Sequence, residues 1–420
     1  MKPGECLHFI LSLNFILNDL LDLKGKQMKT NIKTLCLTGT LSAALTLSAC
    51  SNQSGTSMSS ELDSSVFAVE SGNNSSTSGD SSSTVEETIV NSEPITIVDM
   101  GGDTVTLPDF VERVVSTSDP CTDMMVAFGQ GDKLIGAYFR ALDNPWLKEF
   151  CPCADEIISF DSYEPEVESL ISAETDIIFV PSQERAAALR EKGVCALTIR
   201  YYTPDEVVYA ADMLGKIFGG EAKTKSEKWI DEFNFARDSI SAKLTDIADD
   251  QKPVAYEILA DKGRGPFRTY YGDNQAWLSY AGGILATKDF ADATSQAMPT
   301  EEAILATDPG IIFIGGTYAT KEYSDLLSNE MWQEISAVKN GKVFIEPTGA
   351  TAWNSCSTSY PLLVYYCFSC MYPDKVDFDL KQLTHDFYLD FYEIDFSDEH
   401  LDLMLNSKAP DGSELWTGLE

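Results

Sequence analysis

The chain repeats itself. The stretch E-S-L-I-S-A-E-T-D-I-I-F-V opening at Glu168 lines up with E-A-I-L-A-T-D-P-G-I-I-F-I opening at Glu302. Apolar residues coincide at Leu170/Ile304 and Ile171/Leu305, and Ile177, Ile178, Phe179 and Val180 fall on Ile311, Ile312, Phe313 and Ile314. Each copy reads as a short helix with Glu near its start, a turn, and an unbroken apolar run of strand length. Such a run has no wet side to show as alternation, as expected of a parallel strand buried on both faces. One copy in each half predicts two similar α/β lobes, a cleft between them, and a Glu at the same place on each.

The first fifty residues carry a different message. From Met28 a basic start, M-K-T-N-I-K-T, leads into an apolar stretch over Leu35–Leu47 and then Leu47-Ser48-Ala49-Cys50. That is the layout of an export signal, too short for a stable membrane span. Asp19 and Asp22 interrupt the apolar run before Met28, so Met28 is the expected start. The L-S-A-C end resembles the lipobox of bacterial lipoproteins, which implies that Cys50 becomes the lipid-bearing first residue of an extracytoplasmic protein. Residues 51–92 are Ser, Thr, Gly, Asn and acid with hardly any aliphatic side chains. A segment of this kind cannot offset its own ordering entropy, and it reads as a disordered tether with a reach of about 35 Å.

The body that follows is longer than one compact core usually takes, which again predicts two lobes. Lys and Arg number 30 against 66 Asp and Glu, a net charge of −36, and removal of the signal region leaves the rest more negative still. Phosphate backbones would be repelled, so nucleic acid is excluded as a partner. Seven cysteines follow Cys50: Cys121, Cys151, Cys153, Cys195, Cys356, Cys367 and Cys370. Cys367-x-x-Cys370 falls in the apolar helical stretch Y-P-L-L-V-Y-Y-C-F-S-C-M-Y and reads as core packing. Cys151-Pro-Cys153 finds no account in the sequence.

The coarse order of elements follows from periodicity. Residues 95–107 alternate around Gly101-Gly102-Asp103 and read as a β-hairpin. Val114-Val115, Leu134–Tyr138, Ile177–Val180 and Cys195–Ile199 read as strands between helical stretches, the alternation that builds a parallel sheet. Residues 221–249 form one helical pattern with Trp229, Phe233, Ala236, Ile240, Leu244 and Ile247 along one face. The second half restarts with a strand at Val254–Leu259, a helix over 274–281, the Glu302 unit, and a strand at Lys342–Glu346. Helices over 360–371 and 377–392 follow. The expected division is 1–50 signal, 51–92 tether, 93–220 first lobe, 221–250 connecting helix and 251–420 second lobe with terminal helices. The fold class is α/β: two Rossmann-like lobes bridged by one long helix.

These pieces together resemble the substrate-binding lipoproteins of ABC importers for ferric siderophores, haem and cobalamin. The resemblance covers most of residues 94–406. It rests on the two Glu units, W-L-S-Y-A-G-G at 277–283, A-V-K-N-G-K-V-F at 337–344, W-N at 353–354 and M-Y-P-D-K at 371–375. It implies a ligand cleft between the lobes, a monomer, and a permease dimer with its ATPase as partner. It also implies that Glu168 and Glu302 dock onto arginines of that permease. The chain departs from the family at Thr175, where a Pro-Asp pair usually opens with Pro, and at Gly310, where Asp would follow Pro309.

The ligand is expected to be a chelated metal. Only His385 and His400 follow Cys50, too few for a receptor that seizes bare zinc or manganese. A wrapped metal needs aromatic walls and cations instead, with no cofactor and no protein metal site. Candidates stand after strand ends, where ligands of open parallel sheets bind: Tyr138 and Arg140, Arg200 and Tyr201, Arg264, Arg268 and Tyr271, Tyr318, and Trp353. Guanidinium groups pair with carboxylate or catecholate oxygens, and Tyr and Trp offer flat faces with a polar tip. Siderophore, haem and corrinoid all remain open. No catalytic residues are assigned: G-x-S-x-G, H-E-x-x-H and phosphate-loop motifs are missing, which weighs against a surface enzyme.

Overall fold

The hairpin and a first sheet come from residues 96–198. In the computed structural model, the described residues are 94–260, 266–269, 276–290, 300–316 and 318–415, and all fall in one unit that begins at Glu87. β1 (Thr96–Val98) and β2 (Thr104–Thr106) pair antiparallel, with Ile97 opposite Val105. Only those two central residues turn inward, which is the alternation a half-buried ribbon requires. β3 (Val114–Ser116), β4 (Leu134–Tyr138), β5 (Ile158–Phe160), β6 (Ile177–Val180) and β7 (Ala196–Thr198) follow. They form an all-parallel sheet in the order β5-β4-β3-β6-β7.

The second sheet repeats the plan. β8 (Val254–Leu259), β9 (Ile284–Leu285), β10 (Ile311–Gly315) and β11 (Val343–Ile345) run parallel in the order β11-β10-β8-β9. Read from its other edge, β9-β8-β10-β11 matches β4-β3-β6-β7 strand for strand. β6 and β10 hold corresponding interior places, and every residue of both is buried. The match extends to the backbone. Glu174 and Asp308, six residues past Glu168 and Glu302, both take left-handed conformations, with φ of 51° and 45°.

Between the sheets in chain order runs the helix Gly220–Lys243, 24 residues and so about 36 Å long. It buries Ala222, Ser226, Trp229, Phe233, Ala236 and Ile240; the last four are the expected stripe, whose further members Leu244 and Ile247 fall beyond the helix and are half-buried. It ends before the expected residue 249. Asp246, Asp249 and Asp250 follow its last turn, and acids oppose the negative end of a helix dipole.

The C-terminal helices do not stay with the second sheet. Phe150, from the first half, meets Tyr388, Tyr392 and Phe396 with ring centroids 5.1, 4.6 and 5.3 Å away. Trp146 Nε1 donates to Lys408 O at 2.7 Å, and Lys225 of the long helix pairs with Glu393 at 2.8 Å. One continuous apolar cluster therefore runs from Ile97 in the first half to Leu415. No helix among the described residues is long and apolar enough to cross a membrane.

Candidate functional site

The loops that leave the C-terminal ends of the two sheets meet each other. Asn144, a few residues beyond β4, caps the helix Pro145–Phe150 through Trp146 N. Its Nδ2 donates across to Gly349 O and Ala350 O, beyond β11, at 2.9 and 2.7 Å. Asp123, in the helix that follows β3, accepts from Thr358 N at 3.0 Å, from the Thr358 hydroxyl, and from Tyr392 Oη at 2.5 Å. Trp229 of the long helix donates to Thr358 O at 2.7 Å. The segment 346–359 thus forms a floor shared by both lobes, with the strand ends of each sheet around it. That is the crevice at which open α/β sheets bind ligands.

On the first lobe the crevice wall is aromatic and charged. Tyr138 ends β4 and stacks on Tyr163 with centroids 3.8 Å apart. Burial, then the nearby Asp119, then Tyr138 push the Tyr163 phenol up, while the Arg140 charge pulls it down. Arg140 therefore stands beside this pair. Tyr163 was not anticipated. It belongs to the D-S-Y-E-P loop after β5, a strand whose short I-S-F run gives little periodic signal.

Other expected contacts are already engaged within the first lobe. Arg200 donates to Met100 O at 2.7 Å and pairs with Glu206 at 3.4 Å. Tyr201 is buried; burial first, then Cys121, raises its phenol. Cys121 itself is pushed up to about 12, chiefly by burial. Trp353, open in the sequence between a ligand contact and a structural role, takes the structural one. It is wholly buried and its Nε1 donates to Tyr388 Oη at 3.0 Å, so it offers no face to a ligand and holds the floor instead.

On the second lobe, the backbone around Arg268 folds back along β8, Leu259 N donating to Arg268 O at 2.9 Å. The Arg268 charge is felt by the Tyr256 phenol. Tyr318, half-buried, donates its N–H to Ala260 O at 2.7 Å, which links the ends of β8 and β10. Arg264, Tyr271 and Cys50 lie outside the described residues.

Beneath this edge lies a buried acid pair that the sequence did not disclose. Glu257 of β8 and Glu346, just past β11, are 0% and 2% exposed. Gly315 of β10 separates them, and a Cβ there would stand 2.1 Å from Glu346 Oε2 and 2.0 Å from Asn354 Nδ2. Asn354 Nδ2 donates to Glu257 Oε1 at 2.9 Å. Burial, and then the neighbouring Glu257, hold the Glu346 carboxyl well above the usual range, and the Trp277 indole is the polar neighbour that pulls it down. Burial and a neighbouring carboxylate both favour the protonated form of such a group.

Glu168 and Glu302 are both exposed, each in the first turn of its helix, Val167–Ser172 and Glu301–Leu305. The second helix has a proper cap, Ala303 N donating to Thr300 Oγ1 at 3.3 Å. Among the described residues no group of three or more His, Cys, Asp or Glu is placed to hold a metal ion.

A two-sheet α/β body with its crevice at the strand ends is the architecture of a solute-binding protein. The family model described as "Periplasmic binding protein" matches residues 114–348, and the chain belongs to that family. Membership places it among binding proteins of the extracytoplasmic space rather than among enzymes. The uncharacterized ABC transporter substrate-binding lipoprotein YvrC of Bacillus subtilis is 24% identical over 60% of this chain and 77% of its own. The molybdate-binding protein MolA of Haemophilus influenzae is 22% identical over 70% of this chain and 90% of its own. Its molybdate-bound structure superposes with a TM-score of 0.62 at 18% identity, covering 72% of this chain and 99% of MolA. A periplasmic solute-binding protein from Veillonella parvula gives a TM-score of 0.63 at 21% identity, covering 76% and 98% of the two chains. At these identities the structural likeness speaks to the fold alone.

Proposed function

We propose that this chain captures a metal chelate, a ferric siderophore foremost, and delivers it to an ABC permease while lipid on Cys50 holds it at the membrane. The observation that carries the reading is the first-lobe wall: the exposed Tyr163, stacked on the buried Tyr138 behind it, with the Arg140 charge beside the pair at the end of β4. Flat aromatic faces and a guanidinium suit a bulky anionic chelate, because they take up its rings and its oxygens together. Tyr318 and Arg268 supply the contacts from the second lobe, and Arg264 is kept as a candidate on its sequence position alone. Arg200 and Tyr201, already engaged by Glu206 and by burial, shape the wall rather than reach for the ligand. Glu168 and Glu302 dock the loaded protein on the permease, one per lobe.

MolA's match favours one second reading, a small oxyanion such as molybdate, which would use Arg140 without the aromatic pair. Haem and cobalamin use the same wall and differ in charge. Mass spectrometry of the small molecule that co-purifies decides among them, followed by quenching of Trp fluorescence with ferric siderophores, haem, cobalamin and molybdate. Saturable quenching by a ferric siderophore in the micromolar range or below supports the proposal. Response to molybdate alone overturns it in favour of the oxyanion.

A further inference from the structure

The Cys151-Pro-Cys153 motif forms a tight turn. Ala154 N donates to Cys151 O at 2.9 Å, and Cys153 sits at φ −85°, ψ 4°. Those are the values of the third residue of a type I turn, with Pro152 in the second place that its fixed φ favours. The turn brings Cys151 Sγ and Cys153 Sγ to 3.1 Å, well inside the contact distance of two unbonded sulfurs. Among the described residues no other sulfur pair is in such contact. Cys151 is buried close to Gly131, while Cys153 is half-buried and faces Gly131 O at 3.5 Å. An extracytoplasmic protein meets an oxidising surrounding in which disulfides persist.

We propose that Cys151 and Cys153 are a redox-modification site that closes into an intramolecular disulfide by exchange with an external disulfide. The step begins at the more accessible sulfur. The Cys153 thiolate attacks one sulfur of the external disulfide, forms a mixed disulfide and expels a thiolate, which takes up a proton. Cys151 then attacks the Cys153 sulfur, loses its own proton and expels the second thiol. The two cysteines give up two electrons and two protons, and the external disulfide receives them. Burial first, and then Cys153, push the Cys151 thiol up to about 12, so the closing step accelerates as pH rises. The bond would fasten the end of the helix Pro145–Phe150 to the turn that feeds β5 and the loop of Tyr163.

Trypsin tests this directly, because the peptide from Glu149 to Arg185 holds Cys151 and Cys153 and no other cysteine. The folded protein is treated with oxidised glutathione, blocked with iodoacetamide, digested and weighed. The expected peptide carries no label and is lighter by two hydrogens, and it takes two labels after reduction. In C151S the reaction should stop with glutathione on Cys153, and in C153S the remaining thiol should stay unmodified. Two labels without reduction, a stable glutathione adduct on the wild type, or a disulfide-linked dimer on a non-reducing gel would each overturn the proposal.

Discussion

Arg140 stands in a chain with a large acidic excess, beside two stacked tyrosines at a strand end. A guanidinium in that place discriminates between ligands by charge. If the ligand is an anionic chelate, Arg140→Ala removes a charge-assisted hydrogen bond worth about 1.5–3 kcal/mol, or roughly a 10- to 150-fold loss of affinity. Arg264→Ala and Arg268→Ala are titrated beside it with the same ligand. Unchanged affinity in all three would discard the anionic assignment and leave a neutral ligand. Glu346 gives a prediction of a different kind. Its carboxyl is raised in the folded state, so the native protein keeps a proton that the unfolded chain has lost. Below the unfolded value of about 4.3 both states hold the proton and nothing is lost. Above it, each pH unit weakens the native state by up to about 1.4 kcal/mol until the folded value is reached. Glu346→Gln imitates the neutral form and escapes this loss. Its stability advantage over wild type in urea unfolding should therefore widen from pH 5 to pH 7. A constant difference would show that Glu346 is ionised in the fold.

The helix-turn-strand units were the most legible elements, because a fully apolar run after a short amphipathic helix has few other readings. β6 and β8 fall on the expected residues, and β10 extends its expected run by one, to Gly315. The helix Tyr360–Met371 also agrees. β5 and β9 were not legible, since three and two residues are too short to show a period. The acid pair was hidden for a sharper reason: a Glu in a strand reads as its wet side, and only tertiary packing shows that Glu257 has none. Trp353 and Tyr163 exchange places on the same account, since burial depends on what packs above a residue. At the matched turns, Glu174 and Asp308 take the left-handed backbone, which costs an ordinary L-residue about 1–2 kcal/mol. Asp308 gains something in exchange: it accepts from Ser336 N and Ser336 Oγ, both at 2.7 Å. Glu174→Gly should therefore stabilise the protein by about 1 kcal/mol. Asp308→Gly should fail to, because two hydrogen bonds of about 1 kcal/mol each are lost. Thermal melts of the two variants moving upward together would contradict this account of Asp308.

Across the whole molecule the two sheets are held by a common floor, by the long helix, and by terminal helices that cross back onto the first half. A body clamped at so many points has little room for a wide hinge, so a partner can read it through fixed surface points. Glu168 and Glu302 are the points proposed here: equivalent places in a duplicated fold, both exposed, each in the first turn of a short helix. A two-fold permease meeting a two-lobed protein needs one matching contact per lobe. The competing account is that each Glu only favours its own helix dipole, an effect of about 0.3–1 kcal/mol. Reversal of both charges, Glu168→Arg with Glu302→Arg, separates the two. If the residues dock, the double variant binds ligand in solution as wild type does, yet uptake into cells is lost, and Glu at the permease arginines restores part of it. If they serve only the helices, the melting temperature falls slightly and transport continues. Normal uptake by the double variant would remove the docking role.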